Sequence, residues 1–176
     1  MKRIQLNAEK RDILYRSLIA LALLFGTALL QTSFLPQIGL FGAIPDLLLI
    51  LVIGVSFFNG SRVGIPFAIG AGLVGYFLGG GSHAEIILFY SLVGILFGTY
   101  FSGRRYFAWC LHMLIAVFIK VGWSFLICLF VSSVPRPFAA LWHSLLPELL
   151  GTLLLSLVLY VPVRVAARLI KRKSEL

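Results

Sequence analysis

Three charged residues, Asp46, Lys120 and Glu148, lie within stretches that are otherwise apolar. A charge inside a membrane span is costly, so such residues usually serve a function or form a buried pair. Asp46 follows Pro45, which suits the first position of a predicted helix. Asp46 could therefore act only as a surface carboxylate at the positive end of the helix dipole. For Lys120 and Glu148 we favour a structural ion pair over a transport site.

The chain contains few residues that are suited to enzymatic catalysis. Among the six acidic residues and three histidines, only Glu9 and Asp12 stand three or four positions apart. The spacing of a zinc-binding H-E-x-x-H motif and a carboxylate cluster for magnesium are therefore both absent from the sequence. The G-x-S-x-G turn of serine hydrolases is absent as well. We expect a protein that is not an enzyme and that has no catalytic residues, metal or cofactor.

Glycines are the second notable feature. Residues 70–75 read GAGLVG and match the G-x-G-x-x-G fingerprint of dinucleotide-binding proteins. They lie inside an uncharged stretch, however, and the acidic residue expected about 20 positions later is replaced by Ile95. Small residues also allow membrane helices to approach each other closely, which is the interpretation we favour. Two ladders with four-residue spacing are predicted to pack: Ala71, Gly75 and Gly79 on one helix, and Gly94, Gly98 and Ser102 on the next.

Composition indicates the elements that position these residues. Of the 176 residues, 60% are hydrophobic and 12% are charged, about half the charge of a soluble domain. We therefore predict an all-α integral membrane protein with one domain over residues 1–176. Six spans are predicted, and the second is short enough to be re-entrant. They cover residues 17–35, 45–61, 63–82, 86–102, 107–131 and 139–163, with basic tails at 1–16 and 164–176.

The basic residues predict an orientation. The net charge is +9, but ten of the 15 basic residues lie in the two tails, which favours contact with a lipid bilayer over nucleic acid. With six spans, thirteen basic residues fall on one side and only Arg136 on the other, so both termini should be cytoplasmic. Lys120 lies 16 residues from Arg104, and Glu148 lies 16 from Arg164. Both are then about 24 Å from those anchors, which places them at matching depth.

Two short segments carry a resemblance to a known family. Residues 31–36 read QTSFLP, and residues 39–49 read GLFGAIPDLLL. They resemble the rod shape-determining protein MreD family, which has a glutamine near the end of its first span and an F-G-x-x-P-D-L-L-L stretch opening its second. Residues 64–75 are similar to its glycine-rich third span, and the basic C-terminal helix end matches too. Tyr76 and Gly151 depart from the family, which often has an acidic residue and an asparagine at those places.

The resemblance implies a function and a competing one. It implies a multi-pass scaffold of the bacterial cell inner membrane that binds the single-span protein MreC. Such a scaffold links the MreB cytoskeleton to peptidoglycan synthesis and so to rod cell shape. The family is also thought to share its fold with the substrate-binding components of vitamin ECF transporters. The alternative is therefore a solute-binding subunit, with a pocket lined by Trp142, His143 and Glu148.

Overall fold

The computed structural model describes residues 2–38, 44–78, 85–99, 106–130 and 145–170. All regular structure in these ranges is helical, which confirms the predicted fold class at the level of an all-α chain. The helices are α1 (Lys2–Leu29), continued by a π-helical turn (Leu30–Phe34) and by α2 (Leu35–Ile38), then α3 (Leu47–Asn59), α4 (Ser61–Leu78), α5 (Glu85–Thr99), α6 (Tyr106–Phe130), α7 (Leu146–Val158) and α8 (Tyr160–Ile170).

Three of the described segments are long and apolar enough to cross a membrane: Arg11–Gln37, Ser61–Leu78 and Tyr106–Phe130. The pair α7 and α8 makes a fourth if it counts as one span, although the two helices are bent by 69°. By contrast, α3 has 13 residues and α5 has 15, fewer than the roughly 20 that a full span needs. The helices thus show a membrane protein with three or four candidate spans.

The short helix α3 is the centre of the structure. Ten consecutive residues, Leu48 to Phe57, are buried, and α4, α5 and α8 pack around them. A helix that is apolar on every side has to be covered by other helices, which explains this position. Asp46 caps α3, because its side chain accepts a hydrogen bond from the backbone N–H of Leu49 at 2.9 Å. Pro45 precedes the cap, so its predicted place at the first helical position is wrong.

The first helix does not end where the sequence suggested. It is helical from Lys2, so the predicted basic tail is part of it, and it continues past Pro36 to Ile38. A proline inside an α-helix lacks the N–H group and clashes with the carbonyl four residues earlier. The residues just before Pro36, Leu30–Phe34, are π-helical, and this wider turn accommodates the proline ring.

The last predicted span is broken. We expected one helix over 139–163, but α7 ends at Val158 and α8 starts at Tyr160 in a new direction. Pro162 explains the break, since its ring would clash with the carbonyl of Val158 if α7 continued. In the first turn of α8 the same proline is tolerated, because no hydrogen bond from its nitrogen is needed there. Pro147 likewise lies in the first turn of α7.

Helices α4 and α5 form an antiparallel pair held close by small residues. A Cβ atom added to Gly94 would overlap Ala68 Cβ, and one added to Gly98 would lie 2.9 Å from Ser61 Cα. The predicted residues on α5, Gly94 and Gly98, are therefore at this contact. On α4 the close contact with α5 involves Ala68, Gly72 and the Gly64 carbonyl oxygen, while a Cβ added to Gly64 would meet Ser56 of α3.

The ladder predicted for α4 is therefore corrected in part. Ala71 is buried, but Gly75 makes only ordinary contacts, with Ile86 Cγ2 as the nearest atom to an added Cβ at 3.4 Å. Gly79 lies outside the described residues, as do the ends of four predicted spans (79–82, 100–102, 131 and 139–144). Four-residue spacing occurs on more than one face of a glycine-rich helix, and the sequence pattern alone does not select the face.

The substitution Gly94→Ala tests this packing, with Gly75→Ala as the matched control. Alanine is favoured over glycine inside a helix by about 1 kcal/mol at either position. At Gly94 the added methyl group meets Ala68 Cβ and the Gly64 carbonyl oxygen, the latter at 3.3 Å. Overpacking of this kind costs about 1–3 kcal/mol. We expect Gly94→Ala to lower the thermal unfolding midpoint in detergent and Gly75→Ala to preserve or raise it. Equal behaviour of the two variants would contradict this packing.

Candidate functional site

Lys120 joins three helices through its ammonium group. Its Nζ atom lies 2.5 Å from Asp46 Oδ2, at the start of α3, and it also forms an ion pair with Glu148 Oε1 on α7. Lys120 itself is in the middle of α6. The structure therefore brings together the two residues predicted to pair, and it adds Asp46 as a second carboxylate partner. We refer to Asp46, Lys120 and Glu148 as the charge triad.

Asp46 has a different role from the surface carboxylate expected from the sequence. It is only 2% exposed, and its carboxylate accepts hydrogen bonds from three groups. These are the N–H of Leu49, the Tyr90 hydroxyl at 2.8 and 2.9 Å from the two oxygens, and Lys120 Nζ. Charge-assisted hydrogen bonds of this type are about twice as strong as neutral ones. Asp46 is thus both a helix cap and a member of a buried ion pair.

Three uncharged residues complete the site, and the sequence analysis missed their roles there. Tyr90 of α5 donates to Asp46, and Thr152 Oγ1 of α7 accepts from the Asp46 backbone N–H at 3.0 Å. Gln31, from the π-helical turn, accepts the backbone N–H of Leu48 through Oε1 at 3.0 Å. A polar group buried in an apolar span needs a partner, which is the only signal that could have identified Tyr90 and Thr152.

Among the described residues, the cavity beside Lys120 and Glu148 is small, whereas one of about 210 Å³ lies on the Tyr90 side of the charge triad. A cavity of about 10 Å³ is lined by Lys120, Glu148, Ser124 and Thr152, with apolar residues of α3, α6 and α7. That is room for about one water molecule, whereas ligand pockets occupy about 300–1,000 Å³. Glu148 is 27% exposed and Lys120 is 21% exposed, so this side of the triad is the more open one. The arrangement holds helices together more readily than it holds a solute.

Other predicted site features have mixed outcomes. Within the described ranges, no group of three His, Cys, Asp or Glu side chains is placed to hold a metal ion. Of the proposed solute pocket, Glu148 is in the charge triad, while Trp142 and His143 lie outside the described residues. Pro45 is buried next to Asp46, where it fixes the backbone entering α3.

The loss of stability caused by a substitution in the charge triad should be larger for its more buried members. Lys120→Met leaves Asp46 buried without its cation, and breaking a buried pair in this way costs about 3–5 kcal/mol. Asp46→Asn retains a good helix cap and removes only the charge. Glu148→Gln leaves the Asp46–Lys120 pair in place, so we expect it to have the smallest effect. The measurement is the thermal unfolding midpoint and the monodisperse fraction after purification.

Double variants distinguish the charge triad from a simple pair. If Lys120 interacted with Glu148 alone, Lys120→Met with Glu148→Gln would recover part of the lost stability. Because Asp46 remains buried and charged in that double variant, we expect recovery only with Lys120→Met and Asp46→Asn. Losses that simply add in the second combination would mean that Asp46 and Lys120 are not coupled.

Comparison with protein-family models, curated proteins and solved structures finds no significant match to the chain.

Proposed function

We propose that the protein is a non-enzymatic membrane scaffold of the MreD kind. It binds an MreC-like single-span protein in the bacterial cytoplasmic membrane and links the MreB cytoskeleton to peptidoglycan synthesis. One observation carries the proposal. The residues that resemble the MreD family, Gln31 and the Pro45–Asp46 pair with the leucines that follow, meet at the start of the central helix. The motif is thus the part around which the other helices are arranged.

The alternative function, a solute-binding subunit, has less support. The charges of the triad are occupied with one another, with Tyr90 and with the start of α3. The cavity beside Lys120 and Glu148 has room for about one water molecule, and the cavity on the Tyr90 side, at about 210 Å³, is also below the roughly 300–1,000 Å³ of ligand pockets. A scaffold needs no such cavity, since it acts through the outer faces of its helices. The arrangement of the charge triad therefore favours lateral binding.

Helix α6 offers the outer face best suited to a partner helix. Phe107, Leu111, Leu114 and Phe118 are exposed on one side of it, at spacings of four, three and four residues. This is the seam pattern of two packed helices. Further along, Gly122 has no atom within 4 Å of an added Cβ, and a small residue allows a second helix to come close. We assign this exposed seam to the MreC-like span.

We also propose that six segments cross the membrane and that both termini are cytoplasmic. Arg16 of α1, Arg62 of α4 and Ile170 at the end of α8 lie around one groove, so basic segments meet at one end of the molecule. Asn59, at the end of α3, bonds to the Ala167 carbonyl at this same end. Helix α3 is short for a crossing segment, but the neighbouring helices cover it, so its ends do not have to face the lipid. The bend before α8 suits an amphipathic helix that lies along the cytoplasmic surface.

Cysteine labelling tests this topology. In a background with Cys110→Ser and Cys128→Ser, we expect Ser82→Cys and Ser133→Cys to react with an impermeant maleimide in intact cells. Ser102→Cys and Ser174→Cys should react only after the membrane is permeabilised, because the positive-inside rule places them with the basic residues. Labelling of Ser102→Cys in intact cells would contradict the six-span arrangement.

Co-purification tests the scaffold function. A tagged chain extracted from a rod-shaped bacterium's membrane should recover an MreC-like single-span protein, identified by mass spectrometry. Phe118→Ala on the α6 seam should reduce recovery at least about threefold at equal expression, because interface aromatics often contribute over 1 kcal/mol. Phe77→Ala is the matched control, since Phe77 is also an exposed phenylalanine, on α4. Full recovery with Phe118→Ala would remove α6 as the contact surface, and failure to recover any such partner would contradict the scaffold function.

A further inference from the structure

A large groove separates α1 from α4 at the basic end of the molecule. It has a volume of about 540 Å³, and Ile170 at the end of α8 closes one side. Of the residues that the structure describes, Arg16, Arg62 and Asp12 line its mouth. Below the mouth its walls are apolar, with Leu21 and Leu24 on α1 and Phe67 on α4 among them. The groove is therefore cationic at one end and apolar along the rest.

Arg16 has a hydrogen-bond donor at the mouth that an anion could use. Its side chain is 13% exposed, and its Nη2 atom pairs with Asp12 Oδ2 at 3.0 Å. The other terminal nitrogen, Nη1, is buried and has no hydrogen-bond partner in the described part of the chain. A buried donor without a partner is costly, and a guanidinium group fits a phosphate through two parallel hydrogen bonds. Arg62 adds a second, exposed guanidinium at the same mouth.

The length of the groove indicates what kind of molecule fits below the arginines. It ends where α1 and α4 close on each other, with Leu24 Cδ1 3.2 Å from an added Cβ at Gly70. From Arg62 to Gly70 the helix rises about 12 Å, close to half of the roughly 30 Å hydrocarbon core. A spanning partner helix needs contact over the whole core. A lipid acyl chain of one leaflet ends near the bilayer midplane, as this groove does.

From these observations we propose that the groove binds one anionic phospholipid of the leaflet at the basic end. Its phosphate lies against Arg16 and Arg62, and one acyl chain lies between α1 and α4 as far as Gly70. Basic pockets between membrane helices bind lipid headgroups by this combination of charge and apolar contact. The mouth of the groove is about 20 Å from the charge triad along α3, and the proposal does not depend on the scaffold function.

Lipid binding to the purified full chain tests the proposal. We expect native mass spectrometry in detergent to detect one tightly bound dioleoyl phosphatidylglycerol, with at least tenfold weaker binding of dioleoyl phosphatidylcholine. Phosphatidylglycerol should also raise the thermal unfolding midpoint. Glycerol 3-phosphate, which has the headgroup charge without acyl chains, should leave the midpoint unchanged. Equal binding of the two lipids, or equal stabilisation by glycerol 3-phosphate, would overturn the proposal without use of any variant.

Variants locate the site. Arg16→Gln with Arg62→Gln should remove the preference for phosphatidylglycerol, while Gly70→Leu, which fills the apolar end, should weaken both lipids about equally. Arg168→Gln is the matched control, because Arg168 is an exposed arginine of α8 that does not line the groove. A loss with Arg168→Gln equal to that of the double variant would place the lipid elsewhere. In native membranes a photo-crosslinker at Leu21 should capture lipid, and capture of a partner polypeptide or a second copy would overturn the assignment.

Discussion

One ammonium group shared by two carboxylates is the interaction on which the arrangement of the helices depends. Lys120 would cost about 2.5–3.5 kcal/mol as an isolated charge within a span, and Asp46 and Glu148 face the same difficulty. Asp46 is almost fully buried and the other two are mostly buried, so each charge needs a partner within the protein. The start of α3, the middle of α6 and the first turn of α7 must therefore meet at one point, although they are far apart in the sequence. The position of the central helix follows from that meeting.

Small residues determine how closely α4 and α5 approach each other, which the charge triad does not determine. Lipid tails are as apolar as leucine, so the hydrophobic effect contributes little to the association of two membrane helices. The α4–α5 pair instead relies on contact between backbones, with Gly94 against Ala68 and Gly98 against Ser61. Tyr90 connects the two kinds of constraint, because it belongs to α5 and donates its hydroxyl to Asp46. The glycine contact holds α5 beside α4, and the hydrogen bond holds it at the correct height along α3.

The sequence predicted those features that depend on composition or on counting along one helix. Apolar composition was sufficient for the all-α fold, and equal distances from Arg104 and Arg164 were sufficient to pair Lys120 with Glu148. Asp46 was predicted to be a surface carboxylate because its position at a helix start already explains an acidic residue. That explanation gave no reason to look for a distant partner such as Lys120. Tyr90 and Thr152 carry no charge and have no fixed spacing to Asp46. The first helix continues through Pro36 by means of a π-helical turn, whereas the last predicted span bends before Pro162. Both responses avoid the clash of the proline ring, and the sequence around each proline does not indicate which one occurs.

Helix α1 is attached to the rest of the molecule differently near its two ends. Near its C-terminal end, Gln31 bonds to the backbone of α3, and α1 is held against the core by the buried residues Leu24 and Ala28. At the basic end, Arg16 and Arg62 line the groove, and Arg16 pairs with Asp12. Opposite charges in the triad draw α3, α6 and α7 together, whereas at the mouth a groove remains between α1 and α4. An anion bound at the mouth contacts both α1 and α4, so binding in the groove is coupled to the packing of these two helices.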